Sequence, residues 1–171
     1  MNKINTQYYK TEYAEFILGS FDNKLCLLDF RYRKMRTTVD NRLQKGFEAK
    51  FVEQDDEILK ETRKQLDEYF DMTRKEFTIP LITVGTDFQR TVWEALLKVP
   101  YGTTLSYLQL AKDINNEKAV RAVANANGAN SIAIIIPCHR IIGANGELTG
   151  FGGGLPLKKK LLELEQNLFT V

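Results

Sequence analysis

The chain has 171 residues, a mass of 19.6 kDa and a net charge of +2 at neutral pH. This length suits one ordinary domain or two small ones and excludes a large multidomain assembly. With 43% apolar and 27% charged residues and only 4 Pro and 11 Gly, disordered, collagen-like and low-complexity classes are excluded. The balanced charge neither requires nor excludes a polyanionic partner, so a nucleic-acid site would have to come from local arrangement.

The cysteine and histidine content limits metal chemistry. A structural zinc site uses four Cys or His ligands, and this chain has 2 Cys and 1 His. We therefore expect neither a metal nor a cofactor. Cys26 and Cys138 lie in apolar runs instead of a spaced disulfide framework, which predicts a reducing compartment. The sequence shows no signal-like segment and no long apolar run, so we expect a cytoplasmic protein without a membrane span.

The first eighty residues predict a small scaffold of sheet and helix. Two β-rich runs, residues 12–21 and 24–32, are separated by Asp22-Asn23, which suits a hairpin turn. Residues 55–70 then place apolar side chains at helical spacing with charges between them. This segment predicts an amphipathic helix packed on the sheet.

A change of pattern between residues 78 and 85 predicts a domain boundary. The chain passes there through Pro80 and into Gly85, after which helical patterns replace the short β-rich runs. We therefore divide the chain into an N-terminal domain of residues 1–82 and a C-terminal domain of residues 83–171.

The second domain predicts three short helices joined by tight turns. Thr86 and Gln89 have the spacing of a capping box, so the first helix is expected to begin at Asp87. Two more are predicted over residues 105–112 and 117–127. Such an arrangement resembles a helix-turn-helix core.

Helix caps and a closing helix are also predicted in the second domain. Thr103 or Thr104 can cap the second helix, and Asn115 or Asn116 can cap the third. After a glycine-rich stretch, residues 157–167 predict a closing amphipathic helix.

The strongest chemical signal is the segment Ile136-Pro137-Cys138-His139-Arg140. A thiol reacts as the thiolate, and a neighbouring imidazole or cation lowers its pKa from about 8.5. Because neighbouring side chains of an extended segment point in opposite directions, we expect His139 to act on Cys138 through a water or after a turn. The pair alone is equally compatible with a small buried Cys beside a hydrogen-bonded His.

The third predicted helix is rich in alanine and carries one long cation in its middle, Arg121. Helices that read the major groove normally carry several Arg, Asn or Gln side chains. Small side chains allow close approach, and a single Arg can probe the narrow minor groove. An Ala-rich helix packed in a core has the same composition, so this pattern leaves both interpretations open.

Several ordered motifs together resemble one protein family. They are, in chain order, Arg121-Ala122-Val123, Asn130, Ile136-Pro137-Cys138-His139-Arg140, Gly150-Phe151-Gly152-Gly153-Gly154-Leu155 and Leu161-Leu162-Glu163-Leu164-Glu165. From Val84 to Glu165 the chain closely resembles the methylated-DNA–protein-cysteine methyltransferases, the O6-alkylguanine-DNA alkyltransferases. The resemblance implies an α/β (α+β) fold, in which a small ribonuclease-H-like sheet-plus-helix domain precedes a winged-helix-like domain with a helix-turn-helix.

The resemblance also implies catalytic roles. Cys138 is similar to the alkyl acceptor, His139 to the base that draws its proton through water, and Glu165 to the carboxylate that orients this His. Tyr107 resembles the phenol that donates a proton to N3 of the departing guanine. Asn130 matches a hinge that ties the recognition helix to the active-site segment by backbone hydrogen bonds.

Further residues are implied to bind DNA and the damaged base. Arg121 resembles the finger that enters the base stack, with Ala122 and Ala124 on the DNA-binding face. The wall around the alkyl group and the guanine edge is implied to consist of Ile141, Phe151, Gly152, Gly153 and Gly154. Ala133 stands where some family members have a Pro that helps hold benzyl groups, which leaves the acceptance of bulky adducts open.

The implied function is single-turnover DNA repair by a monomer that binds duplex DNA containing O6-alkylguanine. The alkyl group would move from O6 of guanine, and secondarily from O4 of thymine, to Cys138 after base flipping. Two alternatives are a non-catalytic damage-binding protein, which would lack the acceptor Cys, and a winged-helix regulator, for which a more cationic recognition helix is expected.

Overall fold

The computed structural model describes residues 2–166. The chain forms two compact units, and the boundary between them along the chain lies between Val84 and Gly85. The N-terminal unit contains one four-stranded sheet. Its strands are β1 (Asn2–Lys10), β2 (Glu15–Phe21), β3 (Lys24–Phe30) and β4 (Ala49–Glu53). They lie in the order β3-β2-β1-β4, with β1 antiparallel to β2 and parallel to β4.

The predicted hairpin is confirmed. Strands β2 and β3 pair antiparallel up to Phe21 and Lys24, and the two residues between them, Asp22 and Asn23, have φ values of 52° and 59°. Positive φ at both central residues gives the turn the twist that a two-residue hairpin requires.

Two helices accompany the sheet, α1 (Arg36–Phe47) and α2 (Glu57–Phe70). The predicted helix over residues 55–70 is confirmed as α2. The Asp56 carboxylate caps its first turn by accepting from the Leu59 N–H at 2.8 Å. The sequence analysis did not predict α1.

The C-terminal unit is mainly helical. Its elements are α3 (Asp87–Leu96), β5 (Leu105–Ser106), α4 (Tyr107–Asp113), a 3₁₀ turn (Glu117–Ala119), α5 (Val120–Gly128), a second 3₁₀ turn (Cys138–Arg140), β6 (Ile141–Ile142) and α6 (Leu155–Gln166). Strands β5 and β6 pair in parallel. The predicted end of the closing helix, Asn167, lies outside the described residues.

The cap of α3 is confirmed and two other predicted caps are wrong. Thr86 and Gln89 form both bonds of the capping box, at 3.0 and 3.1 Å. Ser106 caps α4 by accepting from the Gln109 N–H at 3.0 Å, because residues 105–106 pair with β6 and delay the start of the helix. Asn116 precedes a 3₁₀ turn without a side-chain cap.

A buried tryptophan fixes α5 against α3. The Trp93 indole N–H donates to the Ala126 carbonyl oxygen at 2.8 Å, and the ring is 2% exposed. On α5, Val123, Ala126 and Asn127 are buried. This packing decides which face of α5 is left to solvent.

None of the helices between residues 2 and 166 combines the length and apolar character needed to cross a bilayer.

Gly85 allows the start of α3 to pack closely. A Cβ at this position would lie 2.5 Å from the Trp93 ring and 2.7 Å from Gln89 Oε1, which belongs to the capping box. We therefore expect Gly85→Ala to lower the free energy of unfolding by about 1–3 kcal/mol through overpacking, measured by urea unfolding. Gly128→Ala is the control, because a Cβ there meets no atom within 4 Å. Equal stability of the two variants would contradict this account of Gly85.

Candidate active site

The segment before Cys138 is folded back on itself by Asn130. The buried Asn130 amide donates to the carbonyl oxygens of Ile132 and Ile136 at 3.2 and 2.8 Å, and its Oδ1 accepts from the Ile132 N–H at 2.9 Å. Ile134 takes a φ of 69°, which an extended strand does not contain. The apolar segment is therefore a tight turn packed in the core.

Cys138 begins a 3₁₀ turn. The Arg140 N–H donates to the Pro137 carbonyl at 3.0 Å, and Cys138 is 8% exposed. Cys138, His139 and Arg140 therefore form a turn and not an extended segment. The Cys138 thiol is thus held in a short, nearly buried turn.

A buried charge network lies behind this turn. His139 Nε2 lies 2.6 Å from Glu165 Oε2, and both side chains are at most 1% exposed. Arg140 donates from Nε to Glu165 Oε1 at 2.8 Å and from Nη2 to Oε2 at 3.1 Å. Its Nη1 donates to the Val99 carbonyl at 2.7 Å. The sequence analysis considered Arg140 only as a cation near the thiol and did not predict its bonds to Glu165.

The network sets the protonation states of its members. Burial lowers the pKa of His139, which the hydrogen bond to Glu165 opposes without reversing. Burial alone would raise the pKa of Glu165, but hydrogen bonds from His139 and Arg140, together with the positive charge of Arg140, lower it to about 2. A neutral His139 therefore donates Nε2–H to an ionised Glu165 and keeps the lone pair on Nδ1.

Lys158 is a buried cation that the sequence analysis missed. Its ammonium donates to the Ile141 carbonyl at 2.6 Å and to the Thr149 carbonyl at 2.8 Å, and the residue is 0% exposed. Burial lowers its pKa, and electrostatic interaction with Cys138 opposes this shift. In the sequence Lys158 opens a run of three lysines, which is typical of a solvated helix face.

Tyr107 lies at the first residue of α4, and the Thr149 hydroxyl donates to its phenolic oxygen at 3.3 Å. Thr149 belongs to the glycine-rich segment that leads into α6. This segment turns at Gly154, whose φ is 92° and whose N–H donates to the Phe151 carbonyl at 2.9 Å. Ile141 is buried, whereas Phe151 is partly exposed.

Helix α5 presents a face of small side chains and one cation. Arg121, Ala122, Asn125 and Gly128 are exposed, and Ala124 is partly exposed. The helix is therefore amphipathic, with a buried face toward its own unit and an outer face suited to close approach by a partner.

Asn127, on the buried face of α5, was also missed. Its Nδ2 donates to the Cys138 carbonyl oxygen at 3.3 Å. Asn is common at helix ends, so nothing in the sequence marked it.

The second cysteine has different surroundings. Cys26 lies in β3 and is 0% exposed. Burial raises the pKa of its thiol to about 12, with a smaller contribution from Asp56. Cys26 is therefore a core side chain whose thiol stays protonated near neutral pH.

The C-terminal unit thus combines a nearly buried thiol, a neutral imidazole next to it in the chain, a carboxylate bonded to that imidazole and an outer helix face of small side chains. Two family models match the chain. Residues 4–83 match the ribonuclease-like domain of 6-O-methylguanine DNA methyltransferase, and residues 87–167 match its DNA-binding domain. The chain therefore belongs to the 6-O-methylguanine DNA methyltransferase family, and the expected mixed α/β fold is confirmed.

Individual relatives agree with this membership. A methylated-DNA–protein-cysteine methyltransferase of Methanosarcina acetivorans is 51% identical over 112 residues, 66% of this chain and 72% of the relative. One from Methanosarcina barkeri is 46% identical over 151 residues, 88% and 90% of the two chains. The crystal structure of Mycobacterium tuberculosis OGT in complex with DNA matches with a TM-score of 0.80 at 38% identity, over 96% of this chain and 93% of that one.

The Glu165 network predicts a stability effect. Glu165→Gln leaves the buried Arg140 without its counter-ion, so we expect the free energy of unfolding at neutral pH to fall by about 3 kcal/mol. The folded pKa of Glu165, about 2, lies below its unfolded value, so this contribution is present above the unfolded pKa and is lost as pH falls toward 2.

Urea unfolding at several pH values tests this prediction. The difference between wild type and Glu165→Gln should shrink as the solution is acidified. Glu163→Gln is the control, because Glu163 in the same helix forms only a 3.9 Å pair with the exposed Lys159. A difference that does not change with pH would contradict the proposed ionisation of Glu165.

Proposed function

We propose that this protein repairs DNA by transferring a methyl or other alkyl group from O6 of guanine to its own Cys138. The observation that carries the proposal is the nearly buried Cys138 thiol beside His139, whose imidazole is held by Glu165 at 2.6 Å. The names of the Methanosarcina relatives, and the DNA bound to the Mycobacterium tuberculosis structure, support it.

The reaction begins with ionisation of the thiol. The Cys138 S–H bond breaks, and a water passes one proton to His139 Nδ1, since Nε2 is occupied by Glu165. The resulting imidazolium is stabilised by the Glu165 carboxylate, which Arg140 keeps ionised. Lys158, which interacts electrostatically with Cys138, favours the thiolate.

The thiolate then displaces guanine in line. A sulfur–carbon bond forms as the bond between the alkyl carbon and O6 breaks, and the electron pair passes to the guanine ring. Tyr107 donates its phenolic proton to N3, and the proton gained by His139 restores the phenol through solvent. The thioether on Cys138 has no route back to a thiol, so each molecule repairs one lesion.

The outer face of α5 is proposed to lie in the minor groove. Ala122, Ala124 and Gly128 add little bulk, so the helix can approach closely, and Arg121 fills the gap left by a flipped base. Asn130 links α5 to the turn that bears Cys138. The flipped base would be enclosed by Ile141, Phe151 and residues 152–154.

Substrate range and setting follow from the same proposal. Methylated O4 of thymine is a secondary substrate. The protein acts as a monomer in the cytoplasm, where its two free cysteines, Cys26 and Cys138, stay reduced. Ala133, at the position where some family members have a Pro, is 2% exposed.

Cys138→Ala should abolish methyl transfer while DNA binding persists, because the contacts that position DNA lie on α5. Intact mass spectrometry after incubation with a duplex containing one O6-methylguanine should show wild type heavier by one methylene group, located on the Cys138 peptide. Cys26→Ala is the matched control and should gain the same mass. Methyl transfer to Cys138→Ala, or loss of transfer in Cys26→Ala, would reject Cys138 as the acceptor.

Arg121→Ala should separate base flipping from chemistry. We expect transfer from duplex DNA to slow by tenfold or more, because replacing a stacked base costs on the order of a few kcal/mol. Transfer from free O6-methylguanine should change little, since no stack has to be opened. Single-turnover rates on both substrates test this, with Lys159→Ala as a control that also removes one exposed positive charge. Equal slowing on both substrates would show that Arg121 supports the fold instead.

A further inference from the structure

Two buried polar atoms beside Cys138 have no hydrogen-bond partner among residues 2–166. One is Oδ1 of Asn127, a residue that is 5% exposed, and the other is Nδ1 of His139, which is 0% exposed. Asn127 bonds the Cys138 carbonyl, and His139 is the next residue in the chain. Buried polar atoms are almost always satisfied by protein or by ordered water. The two atoms therefore mark a polar position next to the nucleophile.

The orientation of the Asn127 amide is fixed by its partner. A carbonyl oxygen only accepts, so the group that faces Cys138 O at 3.3 Å has to be the Nδ2 donor. Oδ1 is therefore the free end of the amide, and it can only accept. Nδ1 of the neutral His139 also only accepts, because its Nε2–H donates to Glu165.

We infer that Asn127 is a positioning residue that orients the water between Cys138 and His139. This inference rests on the proposed function. A water that contacts both free acceptors donates one hydrogen to Asn127 Oδ1 and the other to His139 Nδ1. Its oxygen is then left to accept the proton of the Cys138 thiol.

This orientation gives proton transfer a direction. The S–H bond of Cys138 breaks toward the water oxygen, and the O–H bond directed at His139 Nδ1 breaks in turn. One proton is thereby moved from sulfur to imidazole, and the molecule that remains is again a neutral water, still bonded to Asn127. Without Asn127 Oδ1 the water is free to rotate and donate to sulfur, which opposes removal of the thiol proton.

Asn127→Leu tests the inference by replacing the amide with an apolar side chain of similar size. The readout is the rate of Cys138 alkylation by iodoacetamide and by free O6-methylguanine from neutral to alkaline pH. We expect the rate near neutral pH to fall about three- to tenfold, the usual effect of one hydrogen bond. At alkaline pH, where the thiol ionises without the relay, the variant and wild type should converge.

Two further variants separate positioning from loss of structure. Asn127→Ser leaves a hydroxyl and space for a second water, so it should recover part of the neutral-pH rate. Gln65→Leu removes another buried amide, one that contacts Thr78 in the N-terminal unit, and should leave the rate unchanged. Slowing of Asn127→Leu by the same factor at every pH would show a displaced Cys138 and would overturn the inference.

His139→Ala distinguishes failure of the inference from failure of the proposed function. If its pH dependence equals that of wild type, the relay itself is absent and the proposed mechanism fails. If His139→Ala alters the pH dependence and Asn127→Leu does not, only the role of Asn127 is rejected.

A crystal structure of the unreacted wild-type protein gives a test that does not depend on the folding of any variant. It should show one water bonded to Asn127 Oδ1, His139 Nδ1 and Cys138 Sγ. A water bonded only to His139 and Cys138 would overturn the inference.

Discussion

A buried carboxylate organises the C-terminal unit. Glu165 accepts from Arg140 twice and contacts His139, and all three side chains are at most 8% exposed. An unpaired carboxylate in this position would be protonated or would destabilise the fold, so the turn at residues 138–140 and helix α6 have to meet at this point. The position of the Cys138 thiol is a consequence of this ionic contact.

Helix α6 contributes a buried charge of each sign, seven residues apart. Glu165 holds the turn that contains His139 and Arg140, while Lys158 holds the carbonyls of Ile141 and Thr149. Since positions i and i+7 lie on the same face of a helix, a single surface fixes both the nucleophile segment and the glycine-rich segment. Through Thr149 this arrangement also reaches the hydroxyl of Tyr107. One helix therefore supports both segments of the candidate site.

The sequence predicted the elements whose signals are local. The Asp22-Asn23 turn, the Thr86–Gln89 capping box and the amphipathic pattern of α2 each need only a few adjacent residues, and all three are present. Helix α1 was missed because only Val39 and Leu43 on it are buried, which leaves a weak apolar pattern.

Elements and residues that depend on distant partners could not be predicted in this way. The start of α4 is set by pairing of β5 with β6, more than thirty residues further along the chain. Lys158 and Asn127 acquire their roles only by tertiary contact, since their immediate neighbours indicate an exposed lysine run and an ordinary helix end. The Cys138-His139 motif was apparent from sequence, but the supporting contacts of Lys158 and Asn127 were not.

The two cysteines show that buried thiols can have opposite electrostatic surroundings. Cys26 and Cys138 are both buried, at 0% and 8% exposure. Around Cys26 the fold supplies apolar strands and the carboxylate of Asp56, both of which raise the pKa of the thiol. Around Cys138 it supplies a cation, Lys158, and a neutral imidazole with a free lone pair. In the proposed reaction burial favours ionisation of Cys138, because a low-dielectric site strengthens the attraction between a thiolate and the Lys158 ammonium.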